Sequence, residues 1–87
     1  MQYVYNTQGT CSRQIIIDID DNKIENVTFI GGCNGNLKGI NALVKGMNID
    51  EVITRLSGIT CGFKPTSCPD QLATALKQIK EKKNKYV

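Results

Sequence analysis

The spacing of apolar residues changes once along this chain, and that change limits the folds it can adopt. In the first part, Ile15, Ile17 and Ile19 alternate with mostly polar residues, which is the two-residue period of a strand. From Leu37 onward, apolar residues recur every three or four positions, which is the period of an amphipathic helix. Strands followed by helices predict an α+β domain, with a small antiparallel sheet and helices on one of its faces.

Turn and capping residues set the expected bounds of these elements. Three strands and three helices are predicted, at about residues 3–5, 13–20, 24–30, 37–46, 49–56 and 68–79. Asn48 is the expected N-cap of the second helix, and Ser67 with Asp70 resembles a capping box before the third. The apolar stripe of the first helix is Leu37, Ile40, Leu43, Val44 and Met47. Beyond Ile79 the stripe of the third helix fades, so we expect that helix to fray there.

The chain has 87 residues and a net charge of +3, which predicts a single domain over residues 1–87. The segment 77–87 carries five lysines and one glutamate, so the excess charge belongs to a lysine-rich helix end at about 80–87. A solvated helix end explains this charge better than a nucleic-acid or membrane surface. No apolar run approaches the length of a membrane span, and residues 1–7 lack the regions of a signal peptide. We therefore expect a reducing, cytoplasmic environment.

The four cysteines carry the most chemical information. The chain has no histidine, which excludes imidazole bases and His-ligated metals. Cys11, Cys33, Cys61 and Cys68 all fall at predicted element junctions rather than on apolar stripes. In a reducing compartment, such cysteines are typical of metal ligands or redox groups rather than of disulfides. We predict that the four thiolates form one site for a zinc ion, or, as the second choice, for an iron–sulfur cluster.

The spacing of the cysteines leaves alternatives open. The chain contains no Cys-x-x-Cys pair, so it matches neither a zinc ribbon, a ferredoxin nor a thioredoxin-type motif. Redox-active dithiols and inert structural thiols therefore remain possible. The glycine-rich segment 31–36 follows the spacing neither of a P-loop nor of a dinucleotide-binding loop. Its glycines are explained equally well by backbone amides that approach sulfur.

The sequence resembles the TSCPD domain family over nearly its whole length. Residues 66–70 spell Thr-Ser-Cys-Pro-Asp, and the Gly-x-Cys-Ser start, the Gly-Gly-Cys-x-Gly-Asn loop and Cys61-Gly62 are similar to the four-cysteine stand-alone members. Other members form the C-terminal module of cobalamin-dependent ribonucleotide reductases. The resemblance implies a cysteine-rich metal-binding module that serves deoxyribonucleotide synthesis.

The order of elements also resembles the U-type iron–sulfur cluster scaffold proteins. On that resemblance, Cys11, Cys33 and Cys68 take the three cysteine positions of the scaffold. Ser12 and Ser67 stand where the scaffold has an acidic residue and a histidine, and Cys61 is an additional sulfur that could replace the histidine. More sulfur ligands imply a tighter and less exchangeable site, which favours a stable metal site over cluster delivery.

Three functions follow from these observations. The first is a non-catalytic metal-binding module that acts as an accessory to ribonucleotide reduction. The second is a ribonucleoside-diphosphate reductase by family association, although 87 residues leave no room for a reductase barrel, so we expect no catalysis by this chain alone. The third is a nucleotide- or nucleic-acid-binding module. It ranks last because aromatic residues, which could stack on bases, make up only 6% of the chain.

Overall fold

The computed structural model describes residues 2–10, 12–32, 34–60, 62 and 66–85. A three-stranded antiparallel sheet in the order β1-β2-β3 precedes three helices, which confirms the predicted α+β class. The elements are β1 (Gln2–Asn6), β2 (Ser12–Asp20), β3 (Lys23–Gly31), α1 (Asn34–Val44), α2 (Ile49–Leu56) and α3 (Cys68–Lys85). The likeness to U-type scaffold proteins stays a prediction.

The hairpin between β2 and β3 closes through the two residues Asp21 and Asn22. Both adopt positive φ angles, 51° and 63°, as a type I′ turn requires. Asp and Asn tolerate this left-handed region better than most residues with a side chain. The turn pairs Asp20 with Lys23, and a bulge at Glu25 then shifts the register by one residue, so that Ile17 lies opposite Val27 and Ile15 opposite Phe29. The apolar residues of both strands therefore share one face of the sheet.

The helices cover this face and complete a single core. Ile15 and Ile17 are fully buried and belong to the same core cluster as Leu72 and Leu76 of α3, which are also fully buried. The core cluster consists of Ile15, Ile17, Ile19, Ile24, Val27, Val44, Ile49, Val52, Leu72, Ala75, Leu76 and Ile79. Apolar residues of both α2 and α3 contribute to this cluster. The opposite face of the sheet has no helix over it among the described residues.

The outer edge of β3 is occupied by the segment that joins α1 to α2. The Ile24 N–H donates to the Met47 carbonyl (2.9 Å), and the Gly46 N–H donates to the Ile24 carbonyl (2.7 Å). Gly46 has a φ of +85°, which a glycine adopts without strain. Further along this edge, the Asn41 side chain of α1 accepts a hydrogen bond from the Val27 N–H (2.8 Å). Main-chain and side-chain groups therefore satisfy the outward N–H groups of Ile24 and Val27.

Two details of the predicted helices are wrong. Leu43 lies on the predicted stripe of α1 but is 78% exposed, so it falls outside the surface that α1 packs against β3. α3 does not fray at Ile79 but continues to Lys85, since no glycine or proline interrupts a run of good helix formers. Lys80 on this extension pairs with Asp50 of α2. No helix within the described ranges is both long and apolar enough to span a membrane.

Candidate functional site

Cys68 is the first residue of α3 and lies at the end of the sheet where β1 turns into β2. Its side chain is buried, with 7% of its surface exposed. The sulfur lies 3.2 Å from the Ser12 hydroxyl oxygen, although the two residues are 56 positions apart in the chain. Ser12 is itself 4% exposed. Cys68 therefore occupies a closed junction between the first turn of α3 and the start of β2, as its predicted place at a helix start requires.

The other three predicted ligands, Cys11, Cys33 and Cys61, lie outside the described residues. Residues near each of them in sequence are described. Ser12 follows Cys11 directly, contacts Cys68 and pairs with Gly31 in the sheet, two positions before Cys33. Ile59, two positions before Cys61, accepts a hydrogen bond from the side chain of Ser67. The described neighbours of all three cysteines therefore lie around the N-terminus of α3.

Ser67 is the residue that fixes this helix start. Its hydroxyl donates to the Ile59 carbonyl (2.6 Å) and accepts from the Asp70 N–H (3.2 Å), as an N-cap does. One side chain therefore caps α3 and holds the segment that follows α2. The predicted capping box is confirmed in this half only, because the Asp70 carboxylate bonds elsewhere. Pro69 occupies the N1–N2 region, where a missing N–H is tolerated.

Gln71 connects the β1–β2 loop to the helix start. Its side-chain oxygen accepts from the Gln8 N–H (3.1 Å), and its side-chain nitrogen donates to the Thr66 hydroxyl (3.1 Å). Gln71 and Thr66 are both buried, so these bonds satisfy groups that water does not reach. Gly9 approaches the same threonine closely, and a Cβ on Gly9 would lie 3.1 Å from its methyl group. The loop that leads to Cys11 is thus held against the segment that precedes Cys68.

Asp70 supplies the negative charge of this helix start. Its carboxylate accepts from the Thr66 hydroxyl and from the Gly58 N–H (2.7 Å). The hydrogen bond from Thr66 makes the largest contribution to holding the pKa of Asp70 below its ordinary value of 3.8, and the bond from Gly58 makes the next largest. Partial burial opposes this shift, and the positive charge of Lys77 adds to it. A carboxylate in the first turn of a helix is also stabilised by the helix dipole.

We expect Asp70→Asn to lower the stability of the protein at pH 7 and to reduce its loss of stability in acid. The folded pKa lies below the unfolded one, so the contribution of Asp70 is present above pH 3.8 and is lost as the pH falls through the folded value. The loss at pH 7 should be at most about 1 kcal/mol, because water screens this carboxylate. Urea unfolding at a series of pH values from about 7 to 3 measures both effects.

Asp20→Asn is the matched control, because it removes the same charge from the exposed end of β2. It should leave the stability at pH 7 nearly unchanged. If Asp70→Asn lost as much stability in acid as the wild type does, the hydrogen bonds from Thr66 and Gly58 would not contribute as described.

The chemistry available at this junction is that of a sulfur atom at a helix N-terminus. Main-chain N–H groups and the positive end of the helix dipole favour a thiolate over a thiol there, and the thiolate is the form that binds metals. Within the described ranges, no group of three or more cysteine, aspartate or glutamate residues could hold a metal ion. Those ranges contain only Cys68 of the four predicted ligands.

Sequence reasoning missed the polar residues that hold this junction together. Ser12, Thr66 and Gln71 are buried and hydrogen-bonded, yet none was singled out as a contact between distant segments. Part of the signal was available, since Ser12 directly follows one predicted ligand and Thr66 belongs to the Thr-Ser-Cys-Pro-Asp segment. Gln71 had no such signal, because a glutamine on a helix is most often exposed.

Of three comparisons with known proteins, one found a match. A search of curated proteins and a search of solved structures each found no match to this chain. A family model matches residues 2–80, from the first residue of β1 to the fourth turn of α3, and includes all four cysteines. Because this match covers most of the sequence, the chain belongs to the TSCPD domain family.

Proposed function

We propose that this protein is a non-catalytic metal-binding module and that Cys11, Cys33, Cys61 and Cys68 bind one metal ion or cluster. Zinc is the first choice, and an iron–sulfur cluster is the second. The observation that carries the proposal is the gathering of described residues around Cys68. Ser12, Gly31 and Ile59 each lie within two positions of another cysteine. Ser12 contacts Cys68, Ile59 accepts a hydrogen bond from Ser67, and Gly31 pairs with Ser12 in the sheet.

The donor set fits a thiophilic metal. Four thiolates are the full complement for structural zinc or for an iron–sulfur cluster, and the chain has neither histidine nor a described carboxylate cluster to compete with them. Ser12 supports the sulfur of Cys68 through the 3.2 Å contact between their side chains. Such contacts orient a ligand and tune its basicity. A bound structural metal would supply folding free energy to this small domain.

The biological role that we propose is that of an accessory to ribonucleotide reduction. Family membership supports this, because the resemblance that first indicated the family also links it to cobalamin-dependent ribonucleotide reductases. The fold formed by the described residues, a three-stranded sheet with three helices, contains no barrel for substrate or cobalamin, so this domain would act on a reductase rather than as one. A cobalamin-dependent reductase or another protein of deoxyribonucleotide metabolism is the proposed partner.

Metal analysis of anaerobically purified protein tests the first part of this proposal. We expect about one zinc ion per chain and a colourless solution, or, for the second choice, iron with acid-labile sulfide and visible absorption. Protein that contains no bound metal and four titratable thiols would instead support the redox or structural alternatives.

A reductase assay tests the second part separately. We expect turnover of a cobalamin-dependent reductase to change when the metal-loaded protein is added, and to remain unchanged when a Cys68→Ser variant is added. If the metal-loaded protein had no effect on turnover, the proposed partner would be wrong, whereas the proposed metal site would be unaffected.

A further inference from the structure

Within the described part of the chain β1 is an edge strand, and the geometry of its outer edge can be derived from the sheet register. The Thr7 N–H donates to the Arg13 carbonyl (3.1 Å), which continues the register that pairs Tyr5 with Ile15. In an antiparallel pair, main-chain groups point alternately toward and away from the neighbouring strand. Residues 3, 5 and 7 therefore bond to β2, whereas Gln2, Val4 and Asn6 direct their N–H and C=O groups outward. No strand within the described residues pairs with this edge.

The outer edges of β1 and β3 differ in the hydrogen-bond partners of their outward main-chain groups. On β3, the outward N–H groups of Ile24 and Val27 both have acceptors, in Met47 and Asn41. No such bond to the outward groups of β1 is found among the described residues, and β1 lacks three of the features that keep an edge strand from pairing. It contains no charged residue and no proline, and it pairs with β2 without a bulge. Val4, at its centre, is 59% exposed.

The sequence of β1 is complementary to itself when read in the antiparallel direction. Gln2-Tyr3-Val4-Tyr5-Asn6 has an amide at each end, a tyrosine on each side of the centre and an apolar residue at the centre. Two copies related by a two-fold axis at Val4 would place Val4 opposite Val4, Tyr3 opposite Tyr5 and Gln2 opposite Asn6. Opposite residues share a face of the sheet, so apolar, aromatic and amide side chains would each meet their own kind.

We propose that the protein forms a homodimer through β1, in which two sheets join into one continuous six-stranded antiparallel sheet. In this register Gln2, Val4 and Asn6 use all their outward main-chain groups, which gives about six intermolecular hydrogen bonds. A shift by two residues in either direction would remove some of them and place amides opposite Val4. The interface is isologous, so it closes on itself, and the two copies of β3 become the outer strands of the joined sheet.

The helices lie on the face that carries Tyr3 and Tyr5, where both tyrosines already pack against the core. In the dimer these rings form cross-strand aromatic pairs beside that core. Because two five-residue strands bury a small area, the dimer belongs to the weak class of interfaces and should dissociate on dilution.

Sedimentation of the full chain and two variants tests the proposal. The wild type should approach twice the 9.6 kDa mass of the chain as its concentration rises over about a hundredfold range. Val4→Lys places two like charges directly opposite each other and should weaken the dimer by about tenfold. Thr28→Lys is the matched control. It adds the same charge to the same open face, in the cross-strand row of Val4 and Ile16 but on β3, and it should dimerise like the wild type.

Charge pairing then tests the register itself. An equimolar mixture of Val4→Lys and Val4→Asp should recover the dimer, because only the register centred on Val4 places the two new charges opposite each other. Recovery that weakens with salt would support this geometry. Two variants that stay monomeric when mixed, although each is folded by circular dichroism, would overturn it.

Amide exchange in the wild type keeps the proposal testable if the variants do not fold. In the dimer the amides of Val4 and Asn6 should be protected at high concentration and lose this protection on dilution, whereas those of Tyr3 and Tyr5 stay protected. A wild type that is monomeric throughout, with Val4 and Asn6 exchanging freely, would overturn the proposal and leave the edge to a strand of another protein.

Discussion

Replacing Cys68 by serine is expected to abolish metal binding and to lower the thermal midpoint of unfolding by roughly 10–20 °C. Cys68 contributes one of four proposed thiolates, and serine is a poor ligand for zinc at neutral pH. Metal content should fall from about one ion per chain toward zero. Metal analysis and differential scanning calorimetry of anaerobically purified protein measure the two effects.

The chelator dependence separates metal binding from packing. A chelator should lower the midpoint of the wild type to that of Cys68→Ser, and should leave the midpoint of the variant unchanged. Ser12→Ala is the matched control, because it removes the hydroxyl that lies 3.2 Å from the same sulfur but keeps the sulfur. It should retain its metal and lose only about 1–3 kcal/mol.

The opposite result is equally clear. If the difference in stability between the wild type and Cys68→Ser were the same with and without chelator, Cys68 would be a buried structural thiol. The 7% exposure of its side chain would then be explained by packing alone.

Replacing Leu76 by alanine is expected to destabilise the protein by about 2–5 kcal/mol, whether or not a metal is bound. Leu76 is fully buried in the core between α3 and the sheet. It lies two helical turns beyond Cys68, so its loss leaves a cavity without touching the proposed ligands. Urea unfolding with the metal content held constant measures the change.

Leu43→Ala is the matched control for this substitution. The same atoms are removed from a helix, but Leu43 is 78% exposed, so the free energy of unfolding should change by no more than about 0.5 kcal/mol. Equal losses for the two variants would contradict the assignment of Leu76 to the core and of Leu43 to the surface.

Much of this fold could be predicted because its local signals agree with its tertiary contacts. The alternation of Ile15, Ile17 and Ile19 identifies a strand with one buried face, and the two-residue turn at Asp21 and Asn22 requires the chain to fold back. The prediction for Leu43 failed because helical spacing identifies an apolar stripe but not how wide a surface the neighbouring element covers.

Less of the candidate site could be predicted. The place of Cys68 at a helix start followed from Pro69 and the capping residues, which are local signals. The bonds from Gln71 to Gln8 and from Asp70 to Gly58 join segments 63 and 12 positions apart. Nothing in a local pattern specifies such pairs, because they depend on how the loops pack after the core has formed.

The sequence by itself determined the type and order of the elements, since periodicity and capping act over a few residues. It also determined that β1 is uncharged and symmetric about Val4, which is a property of five consecutive residues. Only the tertiary structure decided that Ser12 meets Cys68 and that α1 and the segment after it bond to the outer edge of β3. It also decided that β1 is an edge strand of the sheet that the described residues form. These outcomes depend on long-range packing, in which burial of the core fixes the positions of polar groups that are distant in the chain.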